Sequence, residues 1–155
     1  MGHTFSNLLV HVIFGTKGRR RAILEPFRPR LHEYLAGVAR AEFGSALTIG
    51  GTEDHLHGLL LIRADVSVSE AMRKWKSLSS GWLHETFAEA RDFAWQTGFA
   101  VFSVSESMKG AVTTYIAGQA EHHRRQTFEE EYLAFLDGHG IKYDRRYVWD
   151  DELGG

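Results

Sequence analysis

Residues 6–14 constrain this chain most. Leu8, Val10, Val12 and Phe14 fall on one alternating face of the stretch, and Leu9 and Ile13 on the other. A segment that is apolar on both faces at period two predicts a central strand covered on both sides. Lys17 to Arg21 follow as a basic turn. A helix is then expected from about Glu25 to Phe43, with Leu31, Leu35, Val38 and Ala39 on one stripe. Pro26 and Pro29 fit its first turn, where N–H groups have no intrahelical partner. Ala46 to Ile49 predict a short strand, Gly50 to Asp54 a turn, and His55 to Arg63 a second long strand. Ser67 and Glu70 have the spacing of a capping box, opening a helix to about Leu83. Phe99 to Val104 make a fourth strand.

The order β-α-β-β-α-β predicts an α+β fold of the ferredoxin-like kind, an antiparallel sheet with both helices packed on one face. A third helix is expected over about Glu106 to Arg124, carrying Tyr115. Gly110 and Gly118 inside it each cost roughly 1 kcal/mol relative to alanine, so this helix must lean on the domain or on a partner. Thr127 and Glu130 form another capping box, starting a short helix that Gly138 ends. Tyr143, Tyr147 and Trp149 make the next segment too aromatic for a simple disordered tail. The expected organisation is one domain over residues 1–150 and a disordered tail over 151–155.

Composition removes several function classes. With no cysteine, the chain has no disulfide scaffold, thiolate zinc site or cysteine nucleophile, and it fits a reducing cytoplasm. No run of apolar residues is long enough to span a membrane, and the start lacks the pattern of a signal peptide. The net charge of −2 argues against coating nucleic acid by bulk attraction. It is unevenly spread, however. Residues 1–80 carry 11 Lys+Arg against 7 Asp+Glu, and residues 81–155 carry 7 against 13. A locally basic first half could meet phosphates while the acidic half stays in water.

Nine histidines prompt a search for a metal or acid–base site. His55 and His57 are two apart at the start of a strand, so both imidazoles share a face and can converge on one cation. With Leu59 and Leu61 continuing that face into the core, the pair is expected at the rim, within reach of a substrate. The pair reads equally as two solvated strand-end histidines. Tyr115 and Gln119 are four apart on the third helix, stacked one turn from each other. If that face meets the histidine pair, Gln119 offers an oxygen ligand and Tyr115 a phenol beside the metal; otherwise Tyr115 is an amphipathic aromatic and Gln119 is solvated. His122 lies on the same stripe with His123 beside it, and the two read either as an extension of the site or, first, as solvated neighbours.

A divalent ion held by two imidazoles and an amide oxygen keeps positions open for substrate oxygens and can orient a phosphodiester for in-line attack. A nearby cation favours the phenolate of a tyrosine, whose ordinary pKa is about 10. Two basic clusters could hold phosphates: Lys17, Arg19, Arg20 and Arg21, and Arg73, Lys74 and Lys76. Trp75, between the latter, reads either as a stacking surface for unpaired bases or as a core residue.

LLVHVIFGTKGRR, GGTEDHLHGLLLI and WQTGFAVFSVSES, with YIAGQAEHHRRQTFEEEYLAFLDGHGIKYDRRYVWD after them, resemble the single-tyrosine HUH transposases of small insertion sequences and their REP-associated relatives. The resemblance covers most of residues 6–150 in order. Its specific part is a His-x-His pair followed by a tyrosine–x₃–glutamine helix. It implies His55, His57 and Gln119 as ligands of Mg²⁺ or Mn²⁺, and Tyr115 as nucleophile. It also implies single-stranded DNA bearing an imperfect-palindrome hairpin as substrate, and a 5′-phosphotyrosine intermediate with a free 3′-OH. A homodimer is implied too, in which the tyrosine helix of one subunit can complete the site of the other. Leu56 matches the bulky hydrophobe usual between the two histidines, whereas Gly118 stands where a larger polar residue is expected. Two other readings compete: a domesticated or non-catalytic hairpin-DNA-binding protein, and an unrelated ferredoxin-like metal enzyme acting on small molecules.

Overall fold

Apolar alternation on the first strand places it at the heart of a four-stranded antiparallel sheet. The structure, a computed structural model, describes residues 2–149, and the tail expected over 151–155 lies outside the described residues. Strands β1 (Leu9–Gly15), β2 (Gly44–Gly51), β3 (His55–Ile62) and β4 (Ala100–Ser103) lie in the order β2-β3-β1-β4. β1 pairs antiparallel with both β3 and β4. This is the expected ferredoxin-like order. β2 is longer than its apolar run predicts and slips register between Ala46 and Thr48, leaving Leu47 45% exposed.

The two faces of β1 bury different layers. Val12 and Phe14, with Leu56 and Leu60 of β3, pack against helices α1 (Arg28–Glu42) and α2 (Val68–Thr86). Leu31, Leu35, Val38 and Ala39 are the buried stripe of α1, and Pro29 sits in its first turn. Ser67 caps α2, its Oγ accepting from the Glu70 N–H at 3.1 Å. Trp75 is fully buried and donates its indole N–H to the Leu35 carbonyl, so it belongs to the core and offers no stacking surface.

Beyond β4 the chain covers the opposite face with α3 (Lys109–Ala117), α4 (Gln119–His122) and α5 (Phe128–Gly138). Ile116 packs on Leu9 and Leu59, while Phe128, Tyr132 and Leu136 pack on Ile13, Ala100 and Phe102. The continuous helix expected over 106–124 is not formed. It breaks at Gly118 (φ −93°, ψ 18°), whose N–H bonds to the Thr114 and Tyr115 carbonyls. The low helix propensity of glycine weakens the segment here, whereas Gly110 lies in the first turn of α3 and stays helical. The capping box of α5 is complete, Thr127 and Glu130 satisfying each other's backbone N–H groups. Trp149, buried against Phe128 and Tyr132, ties the last described residues to α5.

Close approaches at two glycines seat these helices. A Cβ on Gly50 would lie 2.2 Å from the Ile116 carbonyl oxygen, and one on Gly15 would lie 2.5 Å from the Phe128 ring. Among the described residues, no helix is long and apolar enough to cross a membrane.

Candidate active site

His55 and His57 project from the start of β3 onto the face covered by α3–α5. They are not at an open rim. Both are fully buried, because the C-terminal helices close over them. Each ring has one nitrogen engaged from behind. His55 Nδ1 lies 2.8 Å from Asp54 Oδ1 and 3.1 Å from the Thr52 hydroxyl. His57 Nδ1 lies 2.8 Å from Nε2 of His11, a β1 residue 3% exposed. Both Nε2 atoms then face inward, the arrangement that fixes tautomer and orientation in imidazole ligands.

The C-terminal segment brings Gln119 and Glu131 to these nitrogens, and His123 and Tyr115 to Glu131. Gln119 Oε1 lies 2.9 Å from His55 Nε2, and Glu131 Oε1 lies 2.9 Å from His57 Nε2. His123 Nε2 is 2.9 Å from the same Glu131 oxygen. Tyr115 donates its hydroxyl to the other oxygen, Glu131 Oε2, and lies 3.2 Å from His122 Nε2. All four residues expected at the site, His55, His57, Tyr115 and Gln119, thus share one cluster within a single chain.

The sequence pattern leaves out Glu131 and His11 and offers His123 only as a neighbour that could extend the site. Glu131 is 1% exposed at the centre of the cluster, His123 closes one side, and His11 supports His57 from below. A signal existed for the two left out. His11 interrupts an apolar strand on the same alternating face as Leu9 and Ile13, and Glu131 falls on the buried stripe with Phe128, Tyr132 and Leu136.

The electrostatics follow from burial and from Glu131. Burial holds His57 down to about 4 and His11 down to about 3, so both are neutral near pH 7. Burial alone would raise Glu131, but hydrogen bonds from His123 and His57 hold it far below the usual carboxylate range. Burial opposes charge on His123, yet its bond to Glu131 raises it above the ordinary imidazole value. Tyr115 is pushed well above a normal phenol, first by burial and then by Glu131. Among the described groups, therefore, the surroundings keep this phenol protonated.

His55, His57, His123 and Glu131 offer ligand atoms that all lie within 4.8 Å of one another. Cis donors around an octahedral cation bound at about 2.1 Å are about 3.0 Å apart, close to the 2.9 Å separations at Glu131 Oε1. With the N–H of His55 Nδ1 given to Asp54, its other nitrogen turns a lone pair toward the Gln119 amide oxygen, and a shared cation satisfies both. The donor set fits a divalent cation.

The basic residues divide into two groups. Thr16, which continues β1, donates its N–H to the Asp54 carbonyl, so the turn of Lys17, Arg19, Arg20 and Arg21 lies beside the His55 end of the sheet. Lys17, Arg20 and Arg21 line a cavity of about 330 Å³, while Arg19 lies over the Trp149 ring and 3.6 Å from Glu129. On α2, Arg73 pairs with Glu70, Lys74 pairs with Glu42, and Lys76 donates to the carbonyls of Gln96 and Gly98. A cavity of about 620 Å³ opens on Tyr115, lined also by His122, Arg125 and Gln126.

Fold and site together define an α+β domain whose tyrosine reaches a buried imidazole–carboxylate cluster. Residues 4–119 match the family model described as "Transposase IS200 like". The chain is 30% identical over 127 residues to the transposase for insertion sequence element IS200 of Salmonella typhimurium, covering 78% of this chain and 82% of that protein. The Salmonella typhi protein of the same name matches equally. In structure it resembles a candidate transposase from Deinococcus radiodurans R1 (TM-score 0.58, 20% identity, 75% of this chain and 94% of that one). It also resembles the REP-associated tyrosine transposase bound to a REP hairpin (TM-score 0.54, 15% identity, 75% and 68%). The chain belongs to the IS200-like transposase family, and its role is that of a transposase in DNA recombination.

Proposed function

We propose that this transposase cleaves and rejoins single-stranded DNA beside a hairpin through a 5′-phosphotyrosine on Tyr115, with Mg²⁺ or Mn²⁺ held by His55, His57 and Gln119. One observation carries the reading. The Tyr115 hydroxyl and His57 Nε2 meet on one carboxylate, Glu131, while Gln119 meets His55 at 2.9 Å, so nucleophile and ligand set form one cluster. A bound divalent cation would polarise the phosphodiester and offset charge on the phenolate and in the transition state.

The rest falls to the chain's own residues. Asp54 and His11 orient the two imidazoles, and Glu131 holds the phenol. In cleavage, the phenol oxygen bonds to phosphorus as the P–O3′ bond breaks. The phenol proton is lost and the departing 3′ oxygen takes one up. Rejoining reverses this, a 3′ hydroxyl displacing Tyr115 from phosphorus without ATP. The cavity lined by His122 and Arg125 gives a strand access to Tyr115, and Lys17, Arg20 and Arg21 offer phosphate contacts near the His55 end of the sheet.

The hairpin substrate is supported by the fold shared with a transposase that binds one. A homodimer belongs to the same reading, although Tyr115 reaches the cluster within its own chain, so no exchanged helix is required. Incubation with hairpin-bearing single-stranded DNA and Mn²⁺ should yield a covalent adduct on Tyr115, and Tyr115→Phe should abolish it while sparing hairpin binding. Tight binding with no adduct under any divalent metal would instead favour a non-catalytic hairpin-binding protein.

A further inference from the structure

Among the described residues, the buried carboxylate with the most partners in the site is Glu131, and no ligand role for it follows from the sequence. It lies beyond residue 119, where the family match ends. We infer that Glu131 is a ligand of the cation centre, so that α5 is part of that centre, and that the same carboxylate holds the Tyr115 hydroxyl beside the ion. The inference rests on the metal-dependent reading above and adds to it a residue outside the His55, His57 and Gln119 set.

Three observations support it. The first is the cost of burial. A carboxylate that is 1% exposed needs strong compensation, and the ion-pair partners of Glu131 among the described residues are imidazoles. They are His57 and His123 at 2.9 Å, His122 at 3.5 Å and His55 at 3.7 Å. The nitrogens of His55, His57 and His123 lie close enough to share a ligand shell with the carboxylate, and a divalent ion among them would offset the buried charge directly.

The second is geometry. Glu131 Oε1 stands at cis-donor distance from two imidazole nitrogens, and its other oxygen accepts from Tyr115. One carboxylate thus spans the ligand set and the nucleophile.

The third is rigidity. The capping box at Thr127 fixes the start of α5, and the Phe128 ring stacks on His55 with centroids 4.5 Å apart. Phe128 also fills the space above Gly15. Withdrawing Glu131 would unseat these contacts, so the carboxylate is a fixed element of the centre, not a removable plug. Two imidazoles beside the carboxylate and the amide oxygen form a softer set than Mg²⁺ prefers, which favours Mn²⁺.

The test is Mn²⁺ binding to the purified protein without DNA, followed by electron paramagnetic resonance and by calorimetry. Glu131→Gln should weaken Mn²⁺ binding at least ~10-fold and shrink the rise in melting temperature on adding Mn²⁺. Wild-type or tighter affinity in that variant would overturn the inference and leave the His55–His57–Gln119 reading standing. If His55→Ala and His57→Ala also leave Mn²⁺ binding unchanged, that underlying reading fails with it. Should Glu131→Gln not fold, Glu131→Asp keeps the charge but withdraws the carboxylate by one methylene. Weaker Mn²⁺ binding by this variant supports ligation, and unchanged binding overturns it.

Discussion

His11 Nε2 lies 2.8 Å from His57 Nδ1, and the two rings stack with centroids 5.0 Å apart. For His57 Nε2 to offer a lone pair to a cation, the proton must sit on Nδ1 and be accepted by a neutral His11. Burial keeps His11 neutral near pH 7. His11→Ala should therefore weaken Mn²⁺ binding about 10- to 100-fold, as loss of a group that orients a ligand does. Calorimetry on the folded variant checks this, and unchanged affinity would remove His11 from the site.

Acid should destabilise the metal-free protein before its carboxylates titrate. His57 and His11 sit at about 4 and about 3 in the fold, chiefly through burial, against about 6.5 unfolded. Between those values the unfolded chain binds more protons than the native one, so stability falls as pH drops through this window. His123, raised through Glu131, acts oppositely: its contribution is present below its unfolded value and is lost as pH rises through its folded one. It is also less buried than the other two, so the acid-side loss dominates. Melting in a chelator at about pH 7.5 and about pH 5 should give a lower Tm at the lower pH, and a flat profile would contradict the assignment.

Gly50 pairs with His57 across β2 and β3 and lies under Ile116, the residue after Tyr115. A methyl group there meets a backbone oxygen at 2.2 Å, so α3 must shift. Gly50→Ala should cost about 1–3 kcal/mol of stability, and misplacing Tyr115 should cut adduct formation by more than ~10-fold. Gly37→Ala, where a Cβ meets nothing within 4 Å, should leave the adduct yield alone.

The two basic groups should differ in DNA binding. Removing Lys17, Arg20 and Arg21 together should weaken binding to hairpin-bearing single strands and flatten its salt dependence by about 0.7–0.9 log units per lost phosphate contact. Arg73→Ala with Lys74→Ala should do less, since both cations already face Glu70 or Glu42. Filter binding across a salt series separates the two, and equal losses would show that the α2 cluster contacts DNA as well.

Much of this was legible in the residues. Two-sided alternation found β1, the stripe of Leu31, Leu35, Val38 and Ala39 found α1, and the Thr127 capping box found the start of α5. These signals are local, which is why they survive folding unchanged. The depth of His55 and His57 was not local. It depends on helices more than sixty residues later closing over them. Glu131 was hidden for the same reason, standing in a run of three glutamates where only position 131 turns inward. Gly118 announced a weak helix, but its backbone angles, and so the division between α3 and α4, come from the surface on which the segment lies.

That division sets how strain can travel. Because helical stacking of peptide units stops at Gly118, Tyr115 and Gln119 hang on separate short rods. In the proposed reaction, a tilt carrying the phenol toward a phosphorus atom would fall on the joint between them, and the amide resting against His55 would not have to follow.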